Sequence, residues 1–340
     1  MTDFKLLEKL CLTNGISGDE NTVREIILSE IKDYCEKVEI DNLGNIIAFK
    51  KGNASPSKKL MISAHMDEVG FIVTNITENG FLKFSTVGGI DEKVMLGKPV
   101  KIGKNLIPGV IGLKPIHLIE PPKRQDPVDL TEMYIDIGAE NKNDALKYVN
   151  LGDPVYFDST FEIENDIIKS KALDDRAGCF ILIDLIKKEL PFDVYFTFVT
   201  QEEIGLRGAT VAAFNVNPDI AFVIEATTAS DVPFSKEENF VCKINDGSVI
   251  SFMDKATIYD RELCNKAFDT ANENNIKVQH KKAVSGGNDS GAIHKSRSGV
   301  KTLSLSIPCR YLHSAMSLIS TSDLLNVENL AYHLIFKVLD

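Results

Sequence analysis

Leu60-Met-Ile-Ser-Ala64, followed at once by His65-Met-Asp67, is the stretch that sets the architecture. Five consecutive uncharged, mostly apolar residues fit a strand covered on both faces, as in a sheet layered between helices. The abrupt change at His65 and Asp67 places ionisable groups at the carboxyl end of that strand, where open α/β sheets bind ligands.

The flanking sequence agrees with this reading. Phe4, Leu7 and Leu10, with Leu6 and Cys11, predict one amphipathic helix. Ser17-Gly-Asp-Glu20 predicts a capping box for a second, carried by Val23, Ile26, Ile27 and Ile31. Strands are expected at Lys37–Ile40 and Asn45–Phe49. After residue 165 strands and helices alternate: helix Arg176–Lys188, strand Val194–Val199, helix Arg207–Phe214, strand Ile220–Ile224, helix Arg261–Asn274, strand Thr302–Ile307, and a last helix Ser322–Val338 with Ser322 as N-cap. The expected fold class is α/β, a mixed sheet flanked by helices, built from residues 1–68 and 162–340. Residues 69–161 read differently. Gly70-Phe-Ile-Val-Thr, Phe81-Leu-Lys-Phe-Ser, Val110-Ile-Gly-Leu, Tyr134-Ile-Asp-Ile and Pro154-Val-Tyr-Phe are short strands separated by glycine and proline, which predicts an inserted small β domain or barrel. Within it, Glu120-Pro-Pro-Lys-Arg-Gln-Asp-Pro-Val-Asp129 is expected to be an exposed loop. No internal repeat is evident.

Composition removes several function classes. The chain of 340 residues is 44% hydrophobic and 26% charged, an ordinary globular mix. Its net charge of −11 and lack of a basic stripe argue against nucleic acid as a partner. No apolar run reaches the ~20 residues of a membrane span, and Met1-Thr-Asp-Phe-Lys lacks the pattern of a signal peptide. The expected location is the cytoplasm. The six scattered cysteines, with no C-x-x-C pair, read as reduced core thiols.

Five polar clusters sit at strand exits or strand–helix turns: His65-Met-Asp67, Leu173-Asp-Asp175, Gln201-Glu-Glu203, Glu225, and His313 shortly after Thr302–Ile307. Any one is unremarkable; an isolated histidine after a strand is ordinarily structural. Together, two imidazoles and several carboxylates form a mixed nitrogen and oxygen set suited to zinc, cobalt or manganese. Charge favours two ions over one. Asp174, Glu203, Glu225 and a bridging hydroxide carry four negative charges, which two dications neutralise, while one would leave a buried excess.

In order along the chain stand Ala64-His-Met-Asp-Glu-Val-Gly70, Tyr134-Ile-Asp-Ile-Gly-Ala139, Ala172-Leu-Asp-Asp-Arg-Ala-Gly178, Gln201-Glu-Glu-Ile-Gly-Leu-Arg-Gly208, Gly286-Gly-Asn-Asp-Ser-Gly-Ala-Ile-His294 and Arg310-Tyr-Leu-His-Ser314. This ordered set resembles the M42 family of dinuclear metallo-aminopeptidases, cytosolic enzymes of the glutamyl, leucyl and lysyl type. The resemblance spans nearly the whole chain. It implies that His65 and Glu225 bind one metal, Glu203 and His313 the other, and that Asp174 bridges them. It further implies Glu202 as general base and Asp67 as the residue that orients His65. The inserted domain is expected to be PDZ-like and used for homo-oligomerisation, often into a dodecamer. This chain departs from the family pattern at Glu225, frequently Asp, at Asn288 in place of Thr, and at Gly247-Ser248 in place of Gly-Pro.

The implied reaction is release of N-terminal amino acids from short peptides. A metal-bridging hydroxide attacks the scissile carbonyl, and Glu202 passes the water proton to the leaving amine. Two divalent ions are the implied cofactors, zinc or cobalt before manganese. An alternative is a dinuclear amidohydrolase or deacylase acting on a non-peptide amide. A catalytically silent assembly protein is a third reading, disfavoured because every expected ligand and the base are present. His117 and His280 are expected to be solvated, His333 packed, His294 outside the ligand set, and Met95 and Met133 packing residues. Arg310 is expected either to touch substrate or to pair with a site carboxylate.

Overall fold

The structure is a computed structural model that describes residues 3–122 and 127–339. Among the described residues, eleven strands form one mixed sheet. Its centre is Leu60–His65, fully buried and paired in parallel with Val194–Val199 on one side and Ile220–Thr228 on the other. Ile220–Thr228 in turn pairs in parallel with Lys301–Arg310. Antiparallel strands finish both edges, Lys37–Ile40 with Ile46–Lys50 at one and Ser317–Ser320, Ile167–Ser170 and Glu162–Glu164 at the other.

Alternation along the central strand explains the layering. Leu60, Ile62 and Ala64 enter the large core that holds the helix Leu173–Lys187, while Met61 enters a second core with Ala209, Ala212 and Ala213 of the helix Arg207–Val216. Helices therefore cover both faces, and the parallel strands deliver their carboxyl ends to one rim. The mixed α/β sheet expected from the sequence is present.

Gly70–Ile76, Leu82–Val87, Pro99–Ile102, Ile107–Gly112, Tyr134–Asp136 and Pro154–Phe157 close into a six-stranded barrel among the described residues. Closure leaves no free edge strand. Phe71 stacks edge-on against Phe84 and Phe157 at its centre, and Met95 and Met133 pack there as expected. The barrel is pressed against the sheet domain. Gly70 leaves no space for a side chain beside Ile16, and the Tyr156 hydroxyl donates to Asp19. Lys123, Arg124, Gln125 and Asp126 of the expected loop lie outside the described residues; Pro121, Pro122 and Asp129 are exposed.

Three local expectations are corrected. Ser17-Gly-Asp-Glu20 does not form a capping box: the Ser17 hydroxyl donates to Asp67, and Glu20 accepts from the amides of Gly18 and Gln201. These polar groups do more by tying the strand exits together than by capping one helix. The last helix starts at Thr321, so Ser322 lies in its first turn. The helix expected from Arg176 starts at Leu173 and contains Asp174 and Asp175 in non-helical conformations.

Candidate metal centre

The rim at the carboxyl ends of the parallel strands carries all the expected site residues. His65 ends its strand, Glu225 lies within Ile220–Thr228, and Glu202 and Glu203 follow Val194–Val199. Asp174 comes from the distorted helix start and His313 from the turn after Lys301–Arg310, at a left-handed φ of 54°. The two Asp174 carboxylate oxygens point to different imidazoles. Oδ1 is 3.3 Å from Nε2 of His65, and Oδ2 is 3.3 Å from Nε2 of His313. Glu225 stands 3.4 Å from His65 Nε2, and Glu203 stands 3.3 Å from His313 Nε2. Two triads thus share Asp174, namely His65–Asp174–Glu225 and Asp174–Glu203–His313. The Glu202 carboxylate groups with His65 and Glu203 within 4.8 Å.

These spacings fit metal ions. Nitrogen and oxygen ligands held at ~2.0–2.1 Å in a tetrahedron stand about 3.3 Å from one another. Direct hydrogen bonding does not satisfy the set, because Glu203 Oε1 and Glu225 Oε2 are buried without a partner among the described residues. The electrostatics agree. Burial pushes Glu203 up to about 8 against the pull of His313, and pushes Glu202 and Glu225 well above the usual carboxylate range. Burial would lower His313, yet Asp174 and Glu203 lift it to about 9; His65 is raised in the same way by Glu225 and Asp174. Four carboxylates crowd two imidazoles, a site short of positive charge.

Asp67 does more than the sequence indicated. His65 Nδ1 lies 3.0 Å from the Asp67 main-chain oxygen and 3.5 Å from its carboxylate. The same buried carboxylate accepts from the Ser17 hydroxyl at 2.6 Å and from the amides of Glu202 at 3.0 Å and Glu203 at 3.1 Å. It anchors the backbone of both glutamates. A buried ionic layer lies beneath. Lys171 donates to both oxygens of Glu68 at 2.6 and 2.7 Å, and fully buried Arg176 donates to the carbonyls of Leu10, Thr13, Gly15 and Met66. Apart from His65 with Asp67, none of these pairings has a sequence signal, since the partners are 50 to 166 residues apart.

A cavity of about 250 Å³ opens onto the ligands, with Thr227, Ser306, Asn288 and Lys281 in its walls. Asp289, next to Asn288, is fully buried with both oxygens unpartnered among the described residues, and burial pushes it up to about 7. Arg310 meets neither expectation: it makes a two-pronged bond to Asp231 at 2.7 and 2.8 Å, and neither residue lines this cavity. His294 bonds its own helix, His117 is exposed, and His333 packs on Tyr332. His280 is exposed as expected, but its ring also packs 4.3 Å from the Phe268 ring.

Comparison with known proteins follows the same lines. A family model described as M42 glutamyl aminopeptidase matches residues 44–330. A putative aminopeptidase of Acetivibrio thermocellus is 40% identical over 329 residues, covering 96% of each chain. The crystal structure of a TET aminopeptidase from the marine sediment archaeon Thaumarchaeota archaeon SCGC AB-539-E09 superposes with a TM-score of 0.95 at 34% identity, covering 98% of this chain and 96% of that one. The Pyrococcus horikoshii TET1 peptidase, described as able to assemble into a tetrahedron or a large octahedral shell, matches with a TM-score of 0.87 at 35% identity over 98% and 99% of the two chains. The chain therefore belongs to the M42 peptidase family.

Proposed function

We propose that the protein is a dinuclear metallo-aminopeptidase that removes N-terminal residues from short peptides. The observation that carries this reading is the placement of the two Asp174 oxygens, each 3.3 Å from a different imidazole, with Glu225 and Glu203 completing two triads. His65 and Glu225 would hold one ion, Glu203 and His313 the other, with Asp174 between them. Two bound dications, zinc or cobalt before manganese, would supply an acidified bridging water and polarise the scissile carbonyl.

The remaining steps belong to the chain. Glu202, whose carboxylate groups with His65 and Glu203 within 4.8 Å, takes the proton of the attacking water and returns it to the leaving amine. Asp67 holds the Glu202 and Glu203 backbones so that the base and the ligand keep separate directions. The cavity of about 250 Å³ admits one residue and its peptide bond, which suits an exopeptidase. Lys281 is the one lysine or arginine among the described lining residues, so an acidic first side chain is favoured there. Residues 1–68 and 162–340 form the catalytic part. The barrel within 69–161 serves as the PDZ-like assembly domain of a cytoplasmic homo-oligomer, a dodecamer by likeness to the family. Among the described residues no helix is long and apolar enough to cross a membrane.

A panel of aminoacyl-p-nitroanilides set against N-acyl amino acids, with the protein loaded in turn with zinc, cobalt and manganese, tests the reading. Hydrolysis of the anilides with their free α-amines is expected. Turnover confined to the N-acyl compounds would instead establish the deacylase alternative.

A further inference from the structure

The barrel reaches the metal centre itself. Gly88 and Gly89 follow the barrel strand Leu82–Val87, and a Cβ placed on Gly88 would stand 3.2 Å from Cβ of Glu203 and 2.8 Å from Cγ1 of Val69. One placed on Gly89 would stand 3.9 Å from Nδ1 of His313. Glu203 has little freedom to retreat, because its own amide is fixed to Asp67 at 3.1 Å. The seam is tight: the space between Val69 and Phe157 of the barrel and Asp174, Glu203 and His313 of the sheet domain is only about 10 Å³, no more than one water could fill. The other triad is different, with His65 and Glu225 both carried by central strands of the sheet.

We propose that the Gly88–Gly89 segment of the barrel is a positioning element for the Glu203–His313 half of the metal centre and not for the His65–Glu225 half. This rests on the reading of the rim as a metal centre. Two consequences of close packing carry it. A tightly packed seam transmits small displacements instead of absorbing them, and a ligand atom is useful to a metal only within about 0.2 Å of its proper distance. A contact of 3.2 Å at Gly88 forces a shift of that same order onto a ligand.

The test is calorimetric titration of the full-length, metal-free protein with Co²⁺, read in parallel from the visible spectrum of the bound ion. Wild type should bind two equivalents. Gly88→Ala should weaken one of them roughly tenfold or more, the usual range for disturbing a group that orients a ligand, and shift the other much less. Gly97→Ala is the control: Gly97 is also a barrel residue with a left-handed φ, +72° against +86° at Gly88, but a Cβ there meets nothing within 4 Å among the described residues. It should bind both equivalents like wild type. If Gly88→Ala does not fold, the double variant Val69→Ala/Gly88→Ala relieves the 2.8 Å contact while retaining the one to Glu203, and the same selective loss is expected. Equal weakening of both equivalents, no weakening, or the same loss in Gly97→Ala overturns the inference. A wild-type protein that binds no Co²⁺ overturns the metal-centre reading itself, and the inference with it.

Discussion

Replacing Asp67 with Asn removes one charge and almost no volume, and its cost can be worked from the bonds around it. Oδ1 accepts from the Glu202 amide at 3.0 Å, and Oδ2 accepts from the Ser17 hydroxyl at 2.6 Å and the Glu203 amide at 3.1 Å. An asparagine offers one oxygen and one amide nitrogen. The Ser17 hydroxyl can reverse and accept, but a backbone N–H cannot. Whichever way the new side chain turns, the amide of Glu202 or Glu203 faces another donor in a buried position. An orphaned buried donor costs about 1–3 kcal/mol. Unfolding entropy scales at about 2.1 cal/mol/K per residue, so each kcal/mol moves Tm by roughly 1.4 °C at this chain length. Asp67→Asn should therefore lower the Tm of the metal-free protein by roughly 1.5–4 °C. Activity should fall much further, because a displacement of about 1 Å in a catalytic group can cost about 10²-fold. Scanning calorimetry on metal-free protein, Co²⁺ titration and kcat on an aminoacyl anilide measure the three effects separately. A variant with unchanged Tm, metal affinity and kcat would show that the carboxylate does not anchor the two glutamates.

Four other outcomes follow from the same geometry. Glu202→Gln should keep metal binding, since its backbone bond to Asp67 is untouched, and lose about 10²–10⁴-fold in kcat; near-normal turnover would remove Glu202 from the base role. Chelation with EDTA should abolish activity and lower Tm, and Zn²⁺ or Co²⁺ should restore both; full activity with metal analysis showing none bound would exclude metal catalysis. In the metal-free protein Glu203 is raised to about 8 and His313 to about 9, so both are protonated at pH 7 and both protons must leave before the groups can ligate. Affinity should thus rise with pH up to about 9 and fall in acid, with proton release at pH 7 measured by titration calorimetry in buffers of different ionisation enthalpy; no release contradicts the assignment of these two ligands. Lys171→Met should leave buried Glu68 with only the Gly15 amide at 3.1 Å and the Arg176 guanidinium at 3.7 Å, at a cost below the ~3–5 kcal/mol of a fully uncompensated buried charge, and Glu68→Leu in the same protein should largely reverse that loss in a denaturation assay.

The parts of the molecule legible in the sequence are those where one segment carries its own signal. Leu60–Ala64 is apolar on both faces because both faces are covered, and the change to His65 marks the strand end. The same logic located Glu202, Glu203 and Glu225. The strands Glu162–Glu164, Ile167–Ser170, Ser248–Ile250, Val278–His280 and Ser317–Ser320 were not foreseen, since short and partly polar segments are held by neighbours and not by a pattern of their own. Ser17 and Glu20 misled for a related reason: a side chain that could cap the nearby helix instead bonds a residue 50 or 181 positions away. Glu68 and Lys171, 103 residues apart, gave no hint of each other.

Arg176 draws its four carbonyl partners from residues synthesised long before it, as many as 166 positions earlier. At ~5–20 residues per second on the ribosome, roughly 10–30 s separate the emergence of the helix Lys5–Leu12 from that of the guanidinium that fastens it. Throughout that interval Leu7, Leu10 and Cys11 have no finished surface to cover them, and the entire barrel is made meanwhile. The apolar face of the first helix therefore stays uncovered until the second half of the chain arrives.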